Sequence, residues 1–229
     1  MPEKRPVVVR ETRPEDFDGI VALSEDVYHS HPWTPAQLAS HHAIFPEGQF
    51  VALDAESGQL LGMAASLIIA WSDYEPQGAW PGFTDNGMFT NHDPGGRTLY
   101  GAEVMARPAE QGRGIGTALY RARRELAVRL RMLRIRAGAR LRGYGKFARE
   151  LLPLEYVLRV VRGELFDPTL SFQLRRGFHV IDVVSGYLRH DEESLGFAAT
   201  IQWLNPAEAR PEDYGTANPA FAPYAPKPG

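Results

Sequence analysis

The spacing most suggestive of chemistry is a glycine-rich turn, Gln111, Gly112, Arg113, Gly114, Ile115, Gly116 and Thr117, set directly ahead of a helix-forming stretch. Such a turn offers unpaired backbone N–H groups and the positive end of a helix dipole, which together suit an anion and above all a phosphate. From Arg113 to Arg149 the chain has 12 Lys+Arg and one acid, Glu125. That density fits either an anionic ligand nearby or a solvated arginine surface. Two phosphate loops do not fit the turn. The nucleotide-triphosphatase loop needs Gly-Lys-Ser/Thr at its end, and GIGTAL lacks it. The dinucleotide fingerprint would start at Gly112, but Thr117 takes its third glycine position, and after Glu125 the next acid is Glu150, too distant for the ribose.

The elements that must position this turn follow from periodicity. VVVRE (Val7–Glu11) reads as a short strand, and a helix follows with Thr12 and Glu15 as its capping pair. A second helix starts near Pro35. Residues 50–54 and 60–70 read as a hairpin, and Thr98–Pro108 as a further strand. Ile115, Leu119, Ala122, Leu126 and Leu130 recur at helical spacing behind the turn. A strand near Leu133–Gly138, a mainly helical stretch over 144–163, a helix capped by Asp167 and stopped by Gly177, and two last strands complete the order. This predicts an α/β (α+β) fold, a mixed, mostly antiparallel seven-stranded sheet with helices on both faces. One domain is expected over residues 1–205. A long Gly-, Pro- and aromatic-rich excursion over 71–97 interrupts it, and a tail over 206–229, holding six of the 18 prolines, is expected to be extended and mobile.

Gln111, Gly114 and Gly116 spell Q-x-x-G-x-G after a strand ending ARP and before an amphipathic helix. In that context the turn resembles the acyl-CoA loop of the GNAT superfamily of N-acyltransferases. LSFQLRRGFHV is similar to the superfamily's late helix and strand with their Gly-Phe junction. FPEGQFVA, NHDPGGRTLYGAEV, DPTLSFQLRRGF and DEESLGFAATIQWLNP resemble the acyltransferase domain that precedes a carbon–nitrogen hydrolase domain in many bacterial proteins. Here the expectation is a free-standing version or a piece of a longer chain.

The resemblance implies acetyl-CoA as cosubstrate and a primary amine, on a small molecule or a peptide, as acceptor. Residues 111–117 would then grip the pyrophosphate, helped by the Arg113 side chain. The strand residues Val104, Met105 and Ala106 would meet the pantetheine arm, with an amide near Met105 polarising the thioester oxygen. Arg121, Arg123 or Arg124 would reach the 3′-phosphate. At pH 7 roughly one lysine-like amine in two thousand is neutral, so a base is needed. Glu103 is the first candidate: it stands alone in YGAEVMA, where partial burial would raise its pKa, although a neighbouring arginine could equally pair it. Asp73, Asp85, Asp93, His29, His31 and His92 are weaker candidates. Many family members have a tyrosine where this chain has Gln173, and glutamine cannot give up a proton. The leaving thiolate would then take its proton from Tyr144 or Tyr187, or leave unassisted.

Arg134 and Arg136 share one strand face, which would suit an acceptor carboxylate if that face lines the acceptor groove. Trp33, Trp71, Trp80, Phe83 and Phe89 would either form a lid over the acceptor or pack the excursion onto the core. The family's habit of dimerising makes a homodimer an expectation to test.

Composition narrows the remaining classes. Without cysteine there is no disulfide, thiolate metal site or cysteine nucleophile, and no metal site is expected. The net charge of −3, and aromatics in the basic stretch limited to Tyr120, Tyr144 and Phe147, argue against nucleic acid. No apolar run approaches the ~18 residues of a membrane span, so a cytoplasmic protein is expected. The rival reading is a non-catalytic acyl-CoA-binding regulatory module.

Overall fold

The computed structural model describes residues 6–28, 32–189 and 191–227. Seven strands form one sheet: β1 (Val7–Glu11), β2 (Gln49–Asp54), β3 (Leu60–Ile69), β4 (Thr98–Ala106), β5 (Arg134–Arg140), β6 (His179–Val184) and β7 (Ala198–Leu204), in the order β1-β2-β3-β4-β5-β7-β6. All neighbours are antiparallel except β4 and β5. The helices are α1 (Phe17–Tyr28), α2 (Pro35–Ile44), α3 (Trp80–Thr84), α4 (Ile115–Arg129), α5 (Pro153–Val161) and α6 (Leu170–Leu174).

The sheet separates two apolar cores, because successive strand side chains point to opposite faces. Leu99 joins Ile115, Leu119 and Leu126 of α4 in one core, while its neighbour Tyr100 joins Ile20, Leu23 and Leu38 in the other. Ile115, Leu119 and Leu126 of the α4 stripe are thus buried as their spacing predicts, each contributing about 2 kcal/mol of apolar burial, with Ala122 and Leu130 half-buried against the same core.

The junction of β4 with β5 is short. Only Thr98↔Arg134, Leu99↔Ile135 and Tyr100↔Arg136 pair, whereas β4 pairs with β3 along its whole length. The register of β3 and β4 slips where Ala65 faces Glu103 and Ser66 faces Gly101, so β4 has one extra residue, Ala102. A bulge of this kind bends and twists its strand. It sits where β4 leaves β5, and Gly101–Ala106 keeps one edge without a strand partner.

Three expectations are corrected. The first helix is entered through a turn at Pro14–Asp16, and the acid that caps it is Asp16, which accepts from Arg13 N at 2.8 Å and is held by Arg10; Glu15 has no such role. The 71–97 excursion contains α3 and packs down: Phe83 and Phe89 are buried, Trp71 stacks on Phe83 and Phe83 on Tyr100. The proline-rich tail also lies on the domain. Phe221 is fully buried in the first core, Asn218 N donates to Ile181 O on β6, and Arg162 donates to the Tyr224 hydroxyl. One aromatic anchor supplies the apolar burial that the tail's composition did not suggest.

Candidate active site

Two side chains hold the bulge. Arg123, on α4, is 1% exposed; its Nη2 donates to Glu103 O at 2.5 Å and Ala65 O at 2.9 Å, and its Nε donates to the Ser66 hydroxyl. From the opposite core, Trp80 Nε1 donates to Ala102 O at 2.9 Å. Gly101 is required here, since a Cβ would come within 2.8 Å of Arg123 Nη1. The sequence gives no sign that Arg123 is a buried strut, and its expected role at an outer phosphate does not stand.

Glu103 follows the bulge. Its Oε1 accepts from the Tyr28 hydroxyl at 2.7 Å. Burial raises its pKa, while Tyr28, Arg140 and Trp33 pull the other way. Arg140 stands over the Tyr28 ring at 5.9 Å and is tied by two 2.6 Å bonds to Asp191. Arg140 therefore does not form an ion pair with Glu103, and the carboxyl keeps a proton-accepting role open to it.

Across the sheet, the Gln173 amide donates to the Tyr120 hydroxyl at 2.8 Å. Tyr120, on the second turn of α4, lies beneath Arg123 (5.6 Å from guanidinium carbon to ring centroid) and is raised in pKa chiefly by burial. The late helix thus supplies an amide and α4 supplies a phenol. In the sequence Tyr120 reads as packing, because it follows the stripe residue Leu119. Tyr144 and Tyr187 are committed elsewhere. Tyr144 OH donates to Leu151 O within the first core, and Tyr187 OH pairs with Tyr100 OH at 2.7 Å.

The glycine turn forms as predicted. Gly112 and Gly114 take φ of 81° and 84°, which glycine tolerates and other residues rarely do. Gly114 caps α4 without a side chain, so the N–H groups of Ile115, Gly116 and Thr117 have no intrahelical acceptor. Gly116 has a packing role as well, since a Cβ there would meet the Phe172 ring at 2.8 Å. The Arg113 side chain turns inward, against expectation, to Asp54 and Glu110, both at 2.8 Å. Hydrogen bonds from Ser57 and Arg113 hold the Asp54 carboxyl well below the usual range. This links the β2–β3 turn to the glycine turn.

Among the remaining candidates, Val104 and Ala106 are half-buried against the first core and Met105 is buried in the second, so the strand offers its backbone at the open edge. Asp93 accepts from Gly95 N, Asp85 bonds Thr90, Asp73 is exposed, and His92 Nδ1 accepts from Ile68 N. His29 and His31 lie outside the described residues. Thr117, Arg121, Arg124 and Arg176 line a groove between α4 and the end of α6.

The open edge of β4, the buried Glu103 carboxyl and the glycine-capped start of α4 together make up the candidate site. The acetyltransferase (GNAT) family profile matches residues 18–142. The probable hydrolase YhcX of Bacillus subtilis (strain 168) is 38% identical over 203 residues, covering 88% of this chain and 39% of that protein. The uncharacterized N-acetyltransferase YkwB of the same organism is 36% identical over 204 residues, covering 87% of this chain and 89% of that one. The chain thus spans well under half of one relative and most of the other. Among solved structures, the GphF GNAT-like decarboxylase in complex with isobutyryl-CoA superposes with a TM-score of 0.70 at 21% identity, covering 86% of this chain and 98% of that one. The chain belongs to the acetyltransferase (GNAT) family, and its class is that of the acyl-CoA-dependent acetyltransferases. No helix among the described residues is long and apolar enough to cross a membrane.

Proposed function

We propose that this protein moves an acetyl group from acetyl-CoA to a primary amine of a small molecule or peptide by direct attack, with Glu103 as general base. The observation that carries the reading is the open Gly101–Ala106 edge of β4, with Glu103 on it and the glycine-capped start of α4 beyond it.

Acetyl-CoA supplies an already activated thioester. The backbone of Val104, Met105 and Ala106 is assigned to its pantetheine arm, and the amides of the 111–117 turn to its pyrophosphate. Arg121, Arg124 and Arg176 beside the α4 groove are assigned to the outer phosphate. Arg113 acts from behind, holding the turn in shape through Asp54. Glu103 takes a proton from the ammonium of the acceptor, directly or through water. The amine nitrogen then bonds to the carbonyl carbon, the C–S bond breaks, the nitrogen sheds its second proton to water as the amide forms, and Glu103 passes its own proton to solvent. The departing thiolate receives the Tyr120 proton, and solvent returns that proton later. A phenol whose pKa is raised by burial stays protonated through neutral pH, and the Gln173 amide fixes its orientation.

Calorimetric titration of acetyl-CoA, followed by thiol release with an amine panel, tests the reading. Micromolar binding that Gly114→Pro abolishes, together with turnover that Glu103→Gln reduces, supports it. Absence of binding to the folded parent overturns it. Binding without turnover on any amine selects the regulatory module instead.

A further inference from the structure

A second cleft lies on the β5–β7–β6 part of the sheet, between the start of the 71–97 excursion and residues 212–217 of the tail. It encloses about 460 Å³. The Tyr100–Tyr187 pair, both rings at most 5% exposed, stands on the stretch of sheet between it and Glu103.

The cleft has two opposite charges that do not satisfy each other. Arg136 is 8% exposed, and its Nε donates to Gln202 Oε1 at 2.8 Å. Among the described residues no carboxylate lies within ion-pair distance of it, and no hydrogen bond takes its two Nη atoms. Trp71 covers it, 4.3 Å from ring centroid to guanidinium carbon. Gln202 is itself fully buried and fixed from behind by His179 Nε2 at 3.4 Å, so Arg136 is held in place rather than trapped by chance. Its neighbour Arg134 is paired with Asp213 at 3.7 Å and keeps a buried Nε without a partner. On the other side Asp182, also 8% exposed, accepts from Gln77, Asn218 and Val183 N but has no cation among the described residues. Glu212 stands on the same rim.

A buried guanidinium without an anion and a buried carboxylate without a cation are each costly. A ligand bearing both charges would compensate both. The free Nη pair of Arg136 is a planar fork suited to a carboxylate, and Asp182 with Glu212 suits an ammonium. A phosphate dianion would be repelled by that acidic rim. Pro76, Ile181 and Ala217 give the remaining wall an apolar surface. We propose that this cleft binds a free amino acid with an apolar side chain, carboxylate on Arg136 and ammonium toward Asp182, as a site separate from that of acyl transfer. The ammonium would face Asp182, not Glu103, so the bound amino acid is not the acceptor.

Calorimetric titration of L-leucine and L-phenylalanine, without acyl-CoA, tests this independently of the acetyl-transfer reading. N-acetyl-L-leucine lacks the ammonium and L-leucinamide lacks the carboxylate. The expected result is binding of a free amino acid that weakens at least tenfold for either derivative, and at least tenfold in Arg136→Gln and Asp182→Asn. Ala217→Trp, at an exposed position on the rim, should block the cleft without touching the buried charges, and it serves if Arg136→Gln fails to fold. Lack of binding of both amino acids to the parent overturns the proposal. So does equal binding of N-acetyl-L-leucine, which would mark a plain anion site, or undiminished affinity in Ala217→Trp.

Discussion

Arg123 and Trp80 grip successive carbonyls of one bulge from opposite faces of the sheet, Arg123 at Glu103 O and Trp80 at Ala102 O. The bend of β4 is therefore enforced by side chains from two different cores. Arg123→Met would leave two carbonyls and the Ser66 hydroxyl short of a donor. We expect a loss of at least about 2 kcal/mol in urea unfolding, against about 1 kcal/mol for Trp80→Phe. Unchanged stability in Arg123→Met would show that the guanidinium does not hold the bend.

The pH profile should report Glu103. Its pKa is raised by burial, and as a base it works only when ionised, so kcat/KM should rise with pH along a limb lying above the ordinary glutamate range. The Tyr28 bond favours the ionised form, so Tyr28→Phe should move that limb to still higher pH. Glu103→Gln should remove the limb and lower kcat by about 10²-fold. A limb that stays in place in Tyr28→Phe would separate the two residues functionally.

Tyr120→Phe should lower kcat by about 10²-fold with little change in KM for the acyl donor, as expected for loss of a proton donor. Gln173→Leu should give a smaller fall, because it removes only the bond that orients the phenol. Equal effects on kcat and KM in Tyr120→Phe would point to packing alone.

Much of this site could be read from the sequence, and what could not has a common cause. The glycine turn, the strand before it and the helix behind it are local patterns, and they form where their spacing puts them. Glu103 was visible as a lone acid in an apolar strand. Tyr28, Tyr120 and Arg123 were not, because their roles depend on partners 75, 53 and 57 residues away in the chain. The inward turn of Arg113 has the same origin: Asp54 is 59 residues distant.

That inward turn makes its own prediction. Arg113→Ala and Asp54→Asn should weaken acetyl-CoA binding to a similar degree, and the double variant should be no worse than either, because both break one tie. The Asp54 pKa is depressed on folding by the Ser57 backbone bond and then by Arg113, so these bonds stabilise the protein above the usual aspartate range, and that stability is lost as pH falls below that range through the lowered folded-state value. A much greater loss in Arg113→Ala alone would mean that the guanidinium reaches the ligand itself.

Phe221→Ala should cost about 3 kcal/mol by chemical unfolding, the usual size for emptying a fully buried phenylalanine site. A near-neutral result would return the tail to the mobile segment its composition suggests.

The three residue pairs between β4 and β5 also have a mechanical meaning. In the sheet itself β1–β4 form one plate and β5–β7–β6 another, joined strand to strand by that narrow seam. A molecule laid along the free edge of β4 would act as a missing plank, bracing one plate against the other. Amide exchange along Gly101–Ala106 would then slow on binding more than anywhere else in the sheet.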